Sequence, residues 1–390
     1  MSDRPSPAMI AFTGCLCLIL AMGIGRFAYT PVLPVMLADG LLDMSSAGAI
    51  ASVHFIGYAM GAFAAAYVIT APRAVLLGSL SLIAASTLAM GVVDNHAVWF
   101  GSRWLAGFCS ALVLVIVSTY HVRNLSGTAQ RNLQGWVFAG VGAGIMLVGA
   151  GVLAMMVMAA ASQTIWLGFG GLALAATAYL FVQQADVFRA PTGTTGTGSN
   201  HQTPLSWAII LPYAAMGFGY VVPATYLPVM AKEILPSPLI FGLGWPVFGA
   251  AAAVSTILIG PLQTRYSNRQ IWLASQLVMA LGLLAPAISQ SILAITIAAL
   301  CVGGTFMVIT MVGMKEAHRI AGPEDAQRHV AAMTFAFATG QIAGPFVAGS
   351  AFEALGSFSW PLVLAAGMLV ISLVPMLTKS GQRSSFQARN

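Results

Sequence analysis

Three ionisable side chains, Arg26, Arg103 and His54, lie inside long apolar segments of this sequence. A lone cation deep in a bilayer costs roughly 2.5 kcal/mol or more, so each arginine should face a water-filled cavity, an anion or backbone carbonyls. A guanidinium forms a bidentate pair with a carboxylate, and a histidine can carry a proton near neutral pH. These side chains therefore predict anion recognition and proton coupling, although a lone histidine on an apolar helix is also typical of packing.

Acidic residues are missing from the centres of the apolar segments. All ten fall in loops or at segment ends, namely Asp3, Asp39, Asp43, Asp94, Asp186, Glu233, Glu316, Glu324, Asp325 and Glu353. The arginines thus have no fixed counter-ion in the predicted membrane region, and an anionic substrate would supply the missing charge. Two alternatives stay open. The arginines bind backbone carbonyls where glycine and proline break the helices, or Arg103 meets an acid near the outer surface.

The composition predicts a membrane protein. Hydrophobic residues make up 58% of the 390 residues and charged residues 7%, against roughly 25% charged residues in soluble proteins. At about 20 apolar residues per crossing, the sequence predicts twelve spans, numbered here in chain order. Their approximate bounds are 9–37, 45–69, 74–93, 97–120, 133–157, 163–183, 205–231, 239–262, 269–289, 291–314, 329–351 and 359–378. The fold class is all-α, with the lipid bilayer as a partner.

Basic residues fall almost entirely on one side of the predicted spans. With the amino terminus inside, thirteen of the sixteen Lys and Arg residues are cytoplasmic, Lys232 is outside, and Arg26 and Arg103 lie within spans. The positive-inside rule therefore predicts that both termini are cytoplasmic. The net charge of +6 follows from this orientation and indicates no nucleic-acid partner. The four cysteines have spacings that predict neither a disulfide framework nor a metal site.

One stretch of sequence occurs twice, 194 residues apart. Residues 21–37 align with residues 215–231 without a gap, and eight of the 17 positions are identical. Both copies contain Leu-Pro-Val-Met, with Pro34 in the first and Pro228 in the second. Because prolines weaken helices, we predict that Pro34 and Pro228 act in gating. Tyr220 occupies the position that Arg26 has in the first copy, so the halves differ where a substrate would bind.

Glycines recur with one spacing in spans 5 and 11, at Gly140, Gly144, Gly149, Gly340, Gly344 and Gly349. Such stripes let another helix approach closely and fit either a static crossing or a sliding seam between the two halves. We predict the seam, with Gly144 and Gly344 in gating.

Residues 185–204 contain a Thr/Gly-rich stretch that predicts a cytoplasmic linker between an N-terminal bundle, 1–184, and a C-terminal bundle, 205–390.

The run Gly-Arg-Phe-Ala-Tyr-Thr-Pro-Val-Leu-Pro at 25–34 resembles the signature of the YbfB/YjiJ-like branch of the major facilitator superfamily, a bacterial group. Halves with six spans each enter the membrane in the same direction, as in that superfamily. The resemblance implies two parallel six-helix bundles, a cavity lined by spans 1, 4, 7 and 10, and a location in the inner membrane. It also implies a charged inside gate, but Thr264 stands where the loop motif after span 8 usually has an acid.

These features predict a secondary transporter of the major facilitator type that moves a small organic solute, an organic anion in the first place, by alternating access. The predicted substrate-binding residues are Arg26, Tyr29, Arg103 and Tyr220, and His54 is predicted to couple protons. We expect no cofactor, no metal and a monomer. The alternative substrate is a neutral or amphipathic drug-like compound moved by an exporter. A membrane enzyme acting on lipid would need clustered His, Asp or Glu, and a channel or sensor is a third class.

Overall fold

The structure is a computed structural model of the whole chain. It describes residues 6–67, 71–125, 131–183, 203–234, 242–289, 291–355, 357 and 359–378, although some helix side chains in these ranges, including those of 225–234, are not described. Regular structure in these ranges is entirely helical. The helices are Pro7–Leu18, a π-helix at Ile19–Phe27, Tyr29–Ala38, Met44–Ala65, Pro72–Val92, His96–Asn124, Arg131–Val157, Ser162–Gln183, Trp207–Ile234, Gly244–Leu262, Asn268–Ile288, Ile292–Leu355, Ser359–Ile371 and Val374–Thr378.

Twelve helical segments in the described part of the chain are long and apolar enough to cross a membrane, and they confirm the predicted spans. Span 1 is Pro7–Ala38, and spans 10 and 11 are Ile292–Gly322 and Asp325–Ala348. These last two belong to one continuous helical stretch that breaks at Gly322, whose φ of 74° is one that glycine adopts without strain. We call the side of the protein where span 1 begins the Pro7 end and the opposite side the Ala38 end.

Large apolar side chains cover the outside of the helical assembly. Leu281 is 66% exposed, Phe346 is 80% exposed and Ile288 is 84% exposed. In water such a surface would be unfavourable, whereas lipid tails solvate it.

Polar side chains stabilise helix ends outside the apolar spans. Asn95 caps span 4, and Ser267 forms a capping box with Gln270 at the start of span 9.

The glycine stripes pack the spans within each half. A Cβ on Gly140 would meet the backbone of Cys15, and one on Gly144 would meet the backbone of Gly23, so span 5 lies directly against span 1. In the second half, Gly340 lies against the backbone of Ala214, and Gly344 lies against the side chain of Val221, so span 11 packs on span 7 in the same way. This repetition supports the internal duplication that the sequence predicts.

The predicted sliding seam is therefore wrong for Gly144 and Gly344, because both contact spans of their own half. The contact between halves uses another face of span 5. Gly135, Gly142 and Gly149 lie against span 8 at Thr256, Gly249 and Pro246, respectively. A helix presents a different face about two residues further along, so one helix can hold both contacts. A gating role for Gly144 and Gly344 stays a prediction without the support of the seam.

The two halves also meet at the Pro7 end. The Gln327 side chain, at the start of span 11, donates a hydrogen bond of 2.8 Å to the backbone carbonyl of Ala65, at the end of span 2. The predicted linker, 185–204, falls outside the described residues except for its last two positions. There the backbone N–H of Thr203 donates to the carboxylate of Asp325, which ties the start of the second half to span 11. The exact domain division stays a prediction.

Candidate functional site

Span 1 changes its helical register at the centre of the protein. Its middle third, Ile19–Phe27, is a π-helix, and an α-helix resumes at Tyr29. Pro31, in this α-helix, has no backbone N–H, so one carbonyl of the preceding turn lacks a helical partner. The sequence patterns do not predict this π-helix, although Pro31 signals a disrupted helix there.

Side chains of span 4 bind the carbonyls of this irregular segment. Arg103 Nη1 donates to the carbonyl of Gly25 at 2.8 Å, and Arg103 Nη2 donates to the carbonyl of Arg26 at 3.0 Å. Two helical turns further along span 4, Ser110 Oγ donates to the carbonyl of Ala21 at 2.7 Å. Of the alternatives for Arg103, the structure shows the backbone-carbonyl contact. A substrate role for Arg103 stays a prediction, and its Nε is buried without a hydrogen-bond partner.

Arg26 has a different environment, although it is buried to the same extent as Arg103, with 4% of each residue exposed. Its Nη2 donates a hydrogen bond of 2.5 Å to Oε1 of Gln341, across the boundary between the two halves. Its Nε and Nη1, together with Nε2 of Gln341, are buried without hydrogen-bond partners. The guanidinium of Arg26 is thus only partly satisfied, and four nitrogen-bound hydrogens remain available to an additional acceptor.

Aromatic rings surround the Arg26 guanidinium. Its central carbon lies 4.2 Å from the ring centroid of Tyr58, 5.2 Å from that of Phe27 and 5.6 Å from that of Phe337. The negative faces of these rings stabilise a desolvated cation by about 1 kcal/mol each. The rings therefore offset part of the cost of burying the charge, and they do not neutralise it.

His54 lies on span 2 beside Arg103. Its Nδ1 is 3.1 Å from the backbone carbonyl of Arg103, which requires that Nδ1 carries the hydrogen. Its Nε2 is buried and has no partner. The ring is therefore oriented by span 4 and has one nitrogen that can accept a proton, as the predicted coupling role needs; the role itself stays a prediction.

Two cavities meet at Arg26. The upper cavity, toward the Ala38 end, has a volume of about 70 Å³, and its polar wall consists of Arg26, Tyr29, Thr30, His54, Arg103 and Tyr220. The lower cavity, toward the Pro7 end, has a volume of about 20 Å³ and a wall that includes Met22, Leu114, Phe306, Met307 and Phe337. Arg26, Phe27 and Tyr220 line both, so we call these three side chains the septum.

The structure brings the predicted binding residues together in the upper cavity. Tyr29 places its ring centroid 5.1 Å from the guanidinium carbon of Arg103 and uses its hydroxyl to bind the carbonyl of Ala47 at 2.9 Å. Tyr220, the counterpart of Arg26 in the second half, meets Phe27 edge to face at 6.4 Å between centroids. Among the described residues that line either cavity, none is acidic.

The second half contributes an aromatic wall that the sequence patterns do not predict. Tyr220 stacks on Phe306 at 5.0 Å, and Phe248 packs between Phe306 and Trp245 at 5.3 and 5.5 Å. The only available signal was the presence of aromatic residues on spans 8, 10 and 11, which does not distinguish a cavity wall from a lipid-facing surface.

Pro34 lies inside the α-helix Tyr29–Ala38 beyond the upper cavity. Pro228 lies in the helix Trp207–Ile234, but its side chain is outside the described residues. The gating assignment of both prolines stays a prediction.

The second half supplies the acid that its loop motif lacks. Glu316, in span 10 near the Pro7 end, is 1% exposed and accepts a hydrogen bond of 2.9 Å from Arg269. Arg319 donates to both oxygens of the same carboxylate, at 2.8 and 2.6 Å. Arg269, in the first turn of span 9 after this loop, is therefore paired with an acid from another span, and Thr264 is not part of this ion cluster.

No group of three or more potential metal ligands occurs among the described residues. The cavities offer donors and aromatic faces, and this chemistry suits binding of a solute rather than covalent catalysis.

Comparisons with known proteins agree with this architecture. The crystal structure of the human organic anion transporter MFSD10 (TETRAN) has a similar fold, with a TM-score of 0.71 and 15% sequence identity over 96% of this chain and 100% of that chain. A search among curated proteins gave no match. A sequence profile of the family described as "Uncharacterised MFS-type transporter YbfB" matches residues 18–377. The chain therefore belongs to this family of the major facilitator superfamily, as its sequence predicts, and is a membrane transporter and not an enzyme.

Proposed function

We propose that this transporter moves a small organic anion by alternating access and that Arg26 binds the anionic group. The observation that carries the proposal is a guanidinium with a single side-chain hydrogen bond, buried between two cavities whose described walls contain no acid. A cation in such a place is costly unless an anion joins it. A substrate carboxylate would supply the missing charge and accept the unused hydrogens of Arg26.

The position of Arg26 also suits alternating access. It lies on span 1 of the first half, hydrogen-bonds Gln341 of the second half, and contacts both cavities. A substrate bound there would touch both halves, so a relative motion of the halves would expose it first to one side and then to the other. The positive-inside rule predicts cytoplasmic termini, and we propose this orientation in a bacterial inner membrane.

His54 supports coupling to protons. It lines the same cavity as Arg26 and Arg103, so a proton on His54 would add a third positive charge there. An anion in the cavity would offset that charge, which makes binding of the anion and of the proton mutually favourable. We therefore propose movement of anion and proton in the same direction.

The similarity in fold to a protein described as an organic anion transporter supports the substrate class. An exporter of neutral or amphipathic compounds is the second candidate, and the aromatic wall around Tyr220 favours it. The two candidates differ in whether a negative charge on the solute is needed.

Benzoate and benzamide test the proposal, because they share a ring and differ in charge. We expect wild-type protein in proteoliposomes to show counterflow of labelled benzoate and little of benzamide. Arg26→Ala should abolish the preference for benzoate, and Arg26→Lys should recover part of it, since lysine keeps the charge but not the fork. Equal counterflow of both solutes in the wild type, unchanged in Arg26→Ala, would refute the anion site and favour the second candidate.

A further inference from the structure

The two cavities on either side of the septum differ in chemistry. The upper cavity contains the two guanidiniums and the imidazole. The lower cavity is lined mainly by methionine, leucine and phenylalanine side chains. Of the tyrosines in its wall, Tyr213 places its hydroxyl 3.3 Å from Thr310 Oγ1, and Tyr58 has a buried hydroxyl without a hydrogen-bond partner. A solute would therefore find charged and polar groups above the septum and mainly apolar surface below it.

The septum side chains meet one another through ring contacts. Phe27 and Tyr220 meet only edge to face, at 6.4 Å between ring centroids. Arg26 is fixed by one side-chain hydrogen bond to Gln341 and by ring contacts. Rotation of these side chains would join the two small cavities, and the space that the rings vacate would enlarge them into one elongated site with a charged upper end and an apolar lower end.

We propose that the substrate is an amphipathic organic anion, with its carboxylate on Arg26 and its apolar tail in the lower cavity. This inference rests on the proposed function and adds the class of anion. The carboxylate accepts from Arg26 at the septum, and the tail passes between Phe27 and Tyr220 to contact Leu114, Met307 and Phe337. The charged end of the site then binds the carboxylate, and the apolar end binds the tail. The aromatic wall of the second half and the arginine of the first half thus contact the same substrate.

A series of linear carboxylates tests this inference through the contribution of the tail. Affinities of acetate, butanoate and hexanoate would be measured on purified protein, with acetamide and hexanamide as uncharged counterparts. Burial of a methylene raises affinity about fourfold, so we expect a gain on the order of 100-fold from acetate to hexanoate. The amides should show a similar gain with chain length from a weaker starting affinity.

Variants of Met307 assign the gain to the lower cavity. Met307→Phe should fill it and reduce the gain to less than about tenfold. Met368→Phe is the matched control, because Met368 is 37% exposed on the outside of the protein, and it should keep the wild-type gain. If Met307→Phe does not fold, Met307→Ala serves instead; it enlarges the cavity and should make octanoate bind better relative to hexanoate than it does in wild type.

The outcomes separate this inference from the proposed function. If Arg26→Ala removes the preference of acetate over acetamide but affinity does not rise with chain length in wild type, only the amphipathic substrate is refuted. A gain that is the same in wild type and in Met307→Phe also refutes it, because the tail would then bind elsewhere or enter the detergent. Where Met307→Ala replaces that variant, an unchanged affinity of octanoate relative to hexanoate refutes it in the same way. If wild type and Arg26→Ala bind acetate and acetamide alike, the anion site fails, and this inference fails with it.

Discussion

The two halves of the site use different chemistry on a repeated scaffold. The first half provides Arg26, His54 and Arg103, whereas the second provides aromatic rings around Tyr220. At one duplicated position the first half has Arg26 and the second has Tyr220, and both side chains line both cavities. The contacts of span 5 with span 1 nevertheless recur between span 11 and span 7. The duplication thus retains backbone packing, while the side chains at the centre differ in charge.

The largest expected effect concerns the hydrogen bonds that Arg103 donates to span 1 in the charged half. Arg103→Ala removes two charge-assisted hydrogen bonds and leaves two buried carbonyls of span 1 without that donor, at a cost of about 3 kcal/mol or more. We expect loss of monodisperse protein and a strongly lowered thermal midpoint in detergent. Arg265→Ala, at an exposed loop position, is the control and should leave the midpoint unchanged. A normal midpoint for Arg103→Ala would show that span 1 does not need this support.

The second prediction concerns His54 as the proton carrier of the charged half. His54→Gln retains a polar side chain that can reach the carbonyl of Arg103 but cannot take up a proton near neutral pH. We expect the accumulation of benzoate that a pH gradient drives above the level in protein-free liposomes to be abolished, while benzoate counterflow continues, because exchange needs no net proton movement. Normal accumulation between about pH 6 and 8 would remove His54 from the coupling mechanism.

The third prediction concerns the hydrogen bond between Arg26 of the charged half and Gln341 of the aromatic half. Gln341→Leu removes the amide oxygen that accepts from Arg26 and keeps a similar volume. A hydrogen bond to a charged group contributes about 1.5–3 kcal/mol, so the thermal midpoint without ligand should fall by less than in Arg103→Ala. Saturating benzoate should raise the thermal midpoint of Gln341→Leu by more than it raises that of wild type, since the carboxylate replaces the lost acceptor. An unchanged midpoint would show that this bond does not hold the halves together.

The smallest effect is expected outside the membrane spans, at Asp43. The backbone N–H of Ser46 donates to this carboxylate at 2.7 Å and holds its pKa below the usual value. A lowered pKa in the folded state stabilises the protein above the unfolded-state pKa, about 3.9, and this stabilisation is lost as the pH falls through the folded-state pKa. Asp43→Asn, which still caps the helix, should therefore abolish a small decrease in thermal midpoint that wild type shows below about pH 4. An identical decrease in both proteins would assign it to another group.

Much of the fold follows from the sequence alone. Twelve apolar segments of sufficient length predict the spans, because a bilayer permits only backbone that satisfies its own hydrogen bonds. The duplicated glycines correctly indicate close helix packing, since a glycine stripe requires a nearby backbone. They do not identify the partner helix, because glycines on several faces of span 5 have the same signature. For that reason the predicted seam was wrong for Gly144 and Gly344.

The site could be predicted only in part. Arg26, Arg103 and His54 stand out because ionisable residues are rare within apolar spans, and the structure places all three around one cavity. Their different hydrogen-bond partners depend on the π-helix and on Gln341, which lies 315 residues from Arg26 in the sequence. Glu316 was equally hard to assign, since its pairing with Arg269 is made by tertiary packing.

The most direct test compares the two arginines in one set of samples. Wild type, Arg26→Ala, Arg26→Lys and Arg103→Ala would be measured for monodispersity and for affinity toward benzoate and benzamide. We predict that Arg26→Ala stays monodisperse and loses roughly 30- to 1000-fold in benzoate affinity, as expected for a charge-assisted contact, with partial recovery in Arg26→Lys and the main loss of folded protein in Arg103→Ala. A well-folded Arg26→Ala protein with wild-type affinity for benzoate would contradict the assignment of Arg26 as the anion site.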